Sequence, residues 1–198
     1  MPRPKTLPDA DVLDAAHALI HEHGPEALTF AAVARACGLS SATLVQRFKS
    51  KAGLIRGTLL HAWDRLDGKT EKLAATMPKT AAGAVALLVA LSKDYGGIES
   101  YANGLLVLRE DLRDPALRAR GAAWKAQLSA ALEACFAQAP HAPRGIGLLM
   151  AAQWQGSLLW WSFDPKGSVE RYVEDGLTCF VRAVVPPKRA RRPVSARP

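Results

Sequence analysis

Six side chains near the amino terminus are predicted to share the outer face of one short helix. They carry hydroxyl, amide, guanidinium or small apolar groups, and they are Ser41, Ala42, Thr43, Val45, Gln46 and Arg47. Hydroxyl and amide groups donate and accept hydrogen bonds, and a guanidinium pairs with anions. Because no acidic residue lies among them, the six form a neutral-to-basic face that suits contact with a polyanion.

Two short helices joined by a tight turn are predicted to position this face. The first covers Phe30–Cys37, where apolar residues recur at helical spacing, and the second runs from Ser41 to about Phe48. Gly38 stands where a helix end needs a left-handed residue, and Ser40 suits the N-cap of the next helix. This is the helix-turn-helix arrangement, which lays its second helix in a DNA major groove. The alternative is a helical hairpin inside an ordinary helical domain.

A longer set of spaced residues surrounds this motif, in VLDAAHALIHEHGPEALTFAAVARACGLSSATLVQRFKSKAGLI (residues 12–55). A Gly follows the first predicted helix, a Thr opens the second, a Gly-Leu-Ser turn comes next, and a Thr-Leu pair leads to Phe and Lys. These residues are Gly24, Thr29, Gly38 to Ser40, Thr43, Leu44, Phe48 and Lys51. From about Thr6 to Leu66 the chain therefore resembles the DNA-binding domain of TetR-family transcriptional regulators.

The resemblance implies a set of residues that contact double-stranded DNA. They are Thr29, Ser40, Ser41, Ala42, Thr43, Val45, Gln46, Arg47 and Lys51. In this pattern Thr29 caps the second helix and touches a phosphate, and Lys51 contacts a phosphate at a helix N-terminus. Gln46 suits bidentate pairing with adenine, and the Thr43 methyl suits contact with a thymine methyl.

Two of these positions depart from the family pattern. The family usually has Tyr where Val45 stands and often has His where Arg47 stands. Val45 lacks the phosphate-binding hydroxyl, whereas Arg47 offers a charge-assisted contact that replaces it. The departures leave the prediction of DNA binding unchanged, but they leave the operator sequence and the role of Val45 open.

Strand-like alternation of apolar and polar residues is rare, so the chain is predicted to be all-α. Outside the helix-turn-helix motif, the predicted helices are Asp9–His23, Lys51 to about Leu66, Thr80–Tyr95, Ile98–Leu112, Asp114 to about residue 139, about residue 144 to Phe163, and Ser168 to about residue 185. Gly68 and Lys69 are expected to break or bend the chain after residue 66, with a short helical continuation to Thr76 left open. Met77-Pro78 ends that segment, because the residue before a proline avoids the helical region.

This plan divides the chain into a DNA-binding domain at residues 6–66, with the helix-turn-helix motif at 29–48, an effector-binding and dimerisation bundle at 67–185, and a basic tail at 186–198. The formal net charge is +8, and five cations without an acid lie in the tail: Lys188, Arg189, Arg191, Arg192 and Arg197. The first 66 residues are close to neutral, so the DNA-binding prediction depends on the motif. The tail is predicted to be disordered, and it either adds non-specific DNA affinity or keeps the chain soluble.

The resemblance also implies nine helices and a homodimer formed through the last two. Independently, Trp154, Trp160, Trp161 and Phe163 offer more apolar surface than one small bundle needs. The alternative is that these aromatic residues form an internal core. A twofold dimer places two recognition helices on the order of 34 Å apart, so the operator is expected to be a near-palindrome.

By resemblance, the protein is expected to be a repressor released by a small-molecule effector, although the sequence does not separate a repressor from an activator. Candidate effector contacts combine apolar area with a few polar groups on predicted core helices. They are Trp124, Met150, Gln153, Trp154 and Ser157. The alternative is that they are core residues.

Cysteine and histidine patterns indicate neither a metal site nor a cofactor. Cys37, Cys135 and Cys179 have no ligand or disulfide spacing, and Cys37 and Cys179 are predicted to be core thiols. His17, His21 and His23 are predicted to lie on a solvent-exposed polar face, since no carboxylate or Cys completes a ligand set at useful spacing.

Other classes of protein are less well supported. The sequence lacks a nucleophile elbow, a phosphate-binding glycine loop and a metal signature, which argues against an enzyme. It also lacks a signal-peptide pattern and an apolar run of membrane-spanning length, so a cytoplasmic protein without a membrane partner is expected. An effector-independent architectural DNA-binding protein, which the basic tail would suit, stays open.

Overall fold

The computed structural model describes residues 7–185, which are all-α, as predicted. Nine α-helices occur in this part of the chain: α1 Asp9–His23, α2 Phe30–Cys37, α3 Ser41–Phe48, α4 Lys51–Thr76, α5 Ala81–Ser92, α6 Ile98–Arg113, α7 Pro115–Ala134, α8 Ile146–Phe163 and α9 Val169–Val184. Short 3-10 turns lie at Pro25–Ala27 and Lys93–Tyr95. The basic tail predicted for residues 186–198 lies outside the described residues.

Hydroxyl side chains fix where several helices begin. At four helix starts a hydroxyl oxygen accepts the backbone N–H three residues later at 3.0–3.1 Å, and the hydroxyls belong to Thr29, Ser40, Ser50 and Thr80. Each bond satisfies one of the N–H groups that a helix leaves unpaired at its first turn. Because these caps are local, the predicted starts of α2 and α3 agree with the structure.

A break after residue 66 does not occur, because α4 is one helix of 26 residues from Lys51 to Thr76. The continuation to Thr76 that the sequence left open, and its end before Met77-Pro78, agree with the structure. A glycine inside a helix costs only about 1 kcal/mol, and α4 is held along its length by α1 and α7. Arg120 of α7 pairs with Asp67 at 2.6 Å, one residue before Gly68. The predicted domain boundary at residues 66 and 67 thus lies inside a continuous helix. Helix α7 is shorter than predicted and ends at Ala134.

Two hydrophobic cores pack against successive parts of this long helix, the first around Leu54 and Leu59 and the second around Leu66 and Leu73. The first joins α1–α4 and includes Leu117 of α7, and we call this part the head. The second joins α5–α9 and we call it the bundle. Trp63 of α4 packs against both cores. Consequently the head and the bundle share packing through α4 and α7.

The cysteines have three different environments, and the prediction for one of them is wrong. Cys179 is exposed because it lies on the outer side of α9, opposite the buried Val173 and Leu177. Cys37 is half-buried and Cys135 is buried, and in both cases burial raises the pKa of the thiol. A raised pKa keeps these two thiols protonated and unreactive at neutral pH.

The prediction of a solvent-exposed histidine face holds only for His23. His17 is half-buried against His21, with 4.6 Å between the ring centroids. Burial, helped by His21, lowers the pKa of His17 to about 4, so His17 is neutral at physiological pH.

No group of three His, Cys, Asp or Glu side chains in the described part of the chain could hold a metal ion. None of the helices within residues 7–185 is long and apolar enough to cross a membrane.

Candidate functional site

Helix α3 presents an uncovered polar face on the surface of the head. Ser41, Ala42 and Gln46 are exposed, and Val45 is 43% exposed. On the opposite side, Leu44 is fully buried in the head core and fixes the orientation of the helix. Four of the six residues predicted to face outward are therefore exposed, whereas Thr43 and Arg47 are half-buried.

The turn before α3 has the geometry that its sequence predicts. Gly38 adopts φ 66° and ψ 32°, the left-handed conformation in which glycine escapes the Cβ penalty, and its N–H bonds to the Ala34 carbonyl. Ser40 then caps α3, and its hydroxyl oxygen lies 2.8 Å from that of Thr43. Because this bond fixes the Thr43 rotamer, the methyl group of Thr43 has a defined position.

The turn after α3 holds a strained residue that sequence reasoning missed. Lys49 has φ 66° and ψ −44°, the only positive φ at a non-glycine residue among positions 7–185. The Ser50 N–H bonds to the Phe48 carbonyl at 2.8 Å, which closes a three-residue turn around Lys49. A Cβ added at Gly53 would lie 2.2 Å from the same carbonyl oxygen. Gly53, in the first turn of α4, is the sequence feature that could have indicated this close approach.

Arg47 and Lys51 donate hydrogen bonds within the head. The Arg47 guanidinium donates to the Leu7 carbonyl at 2.7 Å and to the Asp9 carboxylate at 3.1 Å. Its side chain is 22% exposed, so it ties the start of α1 to α3. The exposed Lys51 ammonium donates to the Glu26 carbonyl at 3.3 Å. Lys51 stays on the surface at the first position of α4, while Arg47 must leave Asp9 to reach a phosphate.

The electrostatic character of this part of the head is positive. Between Thr29 and Lys51 the sequence has four cations and no acid: Arg35, Arg47, Lys49 and Lys51. The N-termini of α2, α3 and α4 belong to the same segment, and helix N-termini favour anions. The surface therefore has hydrogen-bonding groups on α3 for base edges and cations beside them for phosphates.

The predicted effector residues come together in the bundle. Trp124, Met150, Trp154 and Ser157 are buried, and Gln153 is half-buried. The Trp124 and Trp154 ring centroids are 6.2 Å apart, and the Ser157 hydroxyl donates to the Gln153 carbonyl at 2.9 Å. These residues are neighbours in the bundle core, and their contact with an effector remains a prediction.

Three further aromatic residues extend this pair into a row that sequence reasoning missed. In spatial order the row, which we call the aromatic row, consists of Tyr101, Tyr95, Trp154, Trp124 and Trp63, with 5.8–6.2 Å between successive ring centroids. At its Trp63 end the indole N–H donates to the buried carboxylate of Asp111 at 3.1 Å. Burial raises the pKa of Asp111 to about 6, although the hydrogen bond from Trp63 opposes the rise. No local sequence pattern pairs residues 48 positions apart.

A separate surface groove of about 470 Å³ lies between α5 and α9. Its walls are mostly alanine and valine, with Lys93, Glu174 and Arg182 among the polar residues. None of the five predicted effector residues lines it.

The fold is a helix-turn-helix head with a helical bundle attached. Residues 12–58 match the family described as bacterial regulatory proteins, tetR family. Comparison with curated proteins gave no match.

Solved structures are similar over most of the chain. A protein from Saccharomonospora viridis, described as a transcriptional regulator in complex with choline, is 19% identical over 86% of this chain and 93% of that chain, with a TM-score of 0.67. The multidrug binding protein EbrR complexed with imidazole is 18% identical over 96% and 100%, with a TM-score of 0.61. The TetR-family regulator PfmR from Thermus thermophilus is 22% identical over 86% and 97%, with a TM-score of 0.59.

These structural likenesses establish the fold, and the family match covers the helix-turn-helix motif. Together they show that residues 12–58 are similar to the tetR family of bacterial regulatory proteins and that the chain has the fold of solved structures such as PfmR.

Proposed function

We propose that this protein is a repressor that binds a near-palindromic operator as a homodimer and leaves it when a small molecule binds the bundle. The observation that carries the proposal is the exposed, acid-free face of α3 beside exposed lysines at the start of α4. We further propose that residues 6–66 form the DNA-binding unit and residues 67–185 the effector and dimerisation unit.

The proposed DNA contacts are divided between bases and phosphates. Base contacts are assigned to Ser41, Ala42, Thr43 and Gln46, and phosphate or positioning contacts to Thr29, Ser40, Val45, Arg47 and Lys51. Gln46 is the residue that we expect to specify a base, because an amide can pair with both N6 and N7 of adenine. Lys51 is expected to add affinity that does not depend on sequence.

The proposed dimer uses the uncovered apolar face of α8 and the adjoining side of α9. Its exposed apolar residues are Leu148, Leu149, Leu159, Trp160, Phe163 and Tyr172. Trp160 and Phe163, which are 65% and 74% exposed, contact each other in a tilted arrangement with 5.9 Å between ring centroids. Pairing of this face with its copy would remove a large apolar surface from water.

A small-molecule effector is proposed because two similar proteins are complexed with imidazole and with choline. We assign Trp124, Met150, Gln153, Trp154 and Ser157 to its neighbourhood. A ligand lowers operator affinity only through its different affinity for the two states of the dimer. Release therefore requires that the ligand-bound bundle favours another separation of the two heads.

The proposal is tested by selecting operators from a random DNA pool with the full chain and with three variants. We expect the wild type to enrich one palindrome, Gln46→Ala to relax a single base position in each half-site, and Lys51→Ala to weaken binding equally across sequences. Lys125→Ala, which removes an exposed cation from α7, is the control and should leave binding unchanged. Equal affinity for many sequences with a steep salt dependence would instead favour an architectural DNA-binding protein.

A further inference from the structure

We propose that the effector of this protein is an organic cation, bound between the inner face of α6 and the aromatic row with its positive charge paired to Asp111. The inference rests on the proposed effector-gated function, and it adds the chemical class of the ligand and the residues that select it.

The aromatic row supplies a surface that attracts cations. Its rings run from Tyr101 at the start of α6 to Trp63 in α4. The negative face of an aromatic ring attracts an ammonium group most strongly where water is excluded. Trp124 and Trp154 already donate their indole N–H groups to the buried hydroxyls of Thr70 and Ser92, at 2.9 and 2.8 Å. The two indoles are thereby fixed in orientation, and the row is preorganised.

Asp111 supplies a negative charge that the protein itself leaves without a counter-charge. Its residue is 9% exposed, and within the described part of the chain its carboxylate receives one hydrogen bond, from Trp63, and forms no ion pair. A buried carboxylate with a single donor is costly to ionise. A bound cation would recover that cost, whereas an uncharged ligand would bury the carboxylate further without a partner. Asp111 therefore selects for positive charge.

Gly104 leaves local space on the face of α6 that carries Tyr101 and Asp111. It lies on the face of α6 between the buried Tyr101 and the buried Asp111, at helical spacing. A Cβ added there would meet no atom of residues 7–185 within 4 Å. Leu105 and Leu108 border this position and are 44% and 46% exposed, which gives the opening an apolar rim. A ligand with an apolar body thus has room beside α6.

The site is linked to the head by the partner of Asp111. Trp63 packs against both hydrophobic cores, and α6 also touches the head where Asn103 donates to the His21 carbonyl at 2.9 Å. A cation that pairs with Asp111 would lie beside the Trp63 indole, because both would share one carboxylate. Binding at this end of the row would therefore act on α4, which leads directly to α3.

The test compares two probes of the same shape that differ in charge, (3-hydroxyphenyl)trimethylammonium and 3-tert-butylphenol. Binding to the full chain is measured at pH 7.5 by calorimetry and by tryptophan fluorescence. We expect the cation to bind at least about tenfold more tightly, and Asp111→Asn to remove that preference while the affinity for the phenol is unchanged. Gly104→Leu should fill the space and abolish binding of both probes without loss of helical circular dichroism.

Glu110→Gln is the charge control. It removes a carboxylate from the same turn of α6, but this carboxylate already pairs with Arg109. It should leave the affinity for the cation unchanged. The inference is overturned if the two probes bind equally, if neither binds the wild type, or if Glu110→Gln has the effect expected of Asp111→Asn. Operator selection tests the proposed function independently of the cation site. If the protein selects an operator but does not bind the cation, only this inference is overturned. If it binds the cation but selects no operator, only the proposed function is overturned.

Discussion

Asp111 combines a buried position with an ionisable side chain that has no counter-charge among the described residues. Its carboxylate lies in the interior with one hydrogen bond, and burial raises its pKa from 3.8 to about 6. Such an arrangement costs stability at neutral pH, because the unfolded chain ionises this carboxyl at a lower pH than the folded chain does. A costly residue of this kind fits a role in binding better than a role in stability.

Asp111→Asn is therefore expected to stabilise the protein at neutral pH. A pKa raised by about two units lowers the free energy of unfolding at neutral pH by about 3 kcal/mol. Partial solvent access, together with a weaker hydrogen bond from Trp63 to the amide, reduces the gain expected for Asp111→Asn to about 1–2 kcal/mol. The sign is fixed by linkage: the cost is absent below about pH 4, grows between pH 4 and 6, and is complete above pH 6. Urea unfolding at pH 4 and pH 8 measures it. A gain of equal size at both pH values would show that ionisation is not its cause.

At the scale of elements, the connection between α3 and α4 determines the orientation of α3, the proposed recognition helix. Lys49 turns the chain with a positive φ, and α4 begins two residues later. The Phe48 carbonyl lies so close to Gly53 that only a hydrogen atom fits between them. The angle between α3 and α4 thus depends on a glycine in α4.

Gly53→Ala is expected to destabilise the head by about 2 kcal/mol, because the new methyl group would overlap a backbone carbonyl that cannot move freely. Gly68→Ala is the matched control in the same helix, where a Cβ meets no atom of the described residues within 4 Å. It should stabilise the protein by about 0.5–1 kcal/mol through helix propensity. Thermal unfolding of the two variants distinguishes these effects. A similar gain in both would contradict the close approach.

At the scale of the whole molecule, large apolar side chains are exposed on two helix faces within residues 7–185. One is the α8 face with Trp160 and Phe163, and the other is the α6 stripe with Leu105 and Leu108. We assign the first to a second copy of the chain and the second to the rim of the ligand site. The two assignments predict different responses to a charged substitution.

Trp160→Glu is expected to convert a dimer into a monomer, since a charge at the centre of an apolar interface loses more than about 2 kcal/mol, or about 30-fold in affinity. Leu105→Glu places the same charge on the α6 stripe and should leave the dimer intact. Light scattering after size-exclusion chromatography measures the mass of each variant. A wild-type monomer, or dissociation caused by Leu105→Glu alone, would assign the interface to another face.

Local chemistry in the sequence determined the helix class and the position of the DNA-binding motif. Gly38, Ser40 and the apolar spacing around Leu44 act over one or two turns, so the ends of α1, α2 and α3 follow from neighbouring residues. The same local rules failed at Gly68, because tertiary contacts from α1 and α7 outweigh the small helix penalty of one glycine.

Only the tertiary structure decided the partners of residues far apart in the chain. Arg47 binds Asp9, 38 residues earlier, and Trp63 binds Asp111, 48 residues later. Such contacts depend on how helices are packed against one another, and the spacing of residues within a single helix carries no information about that packing.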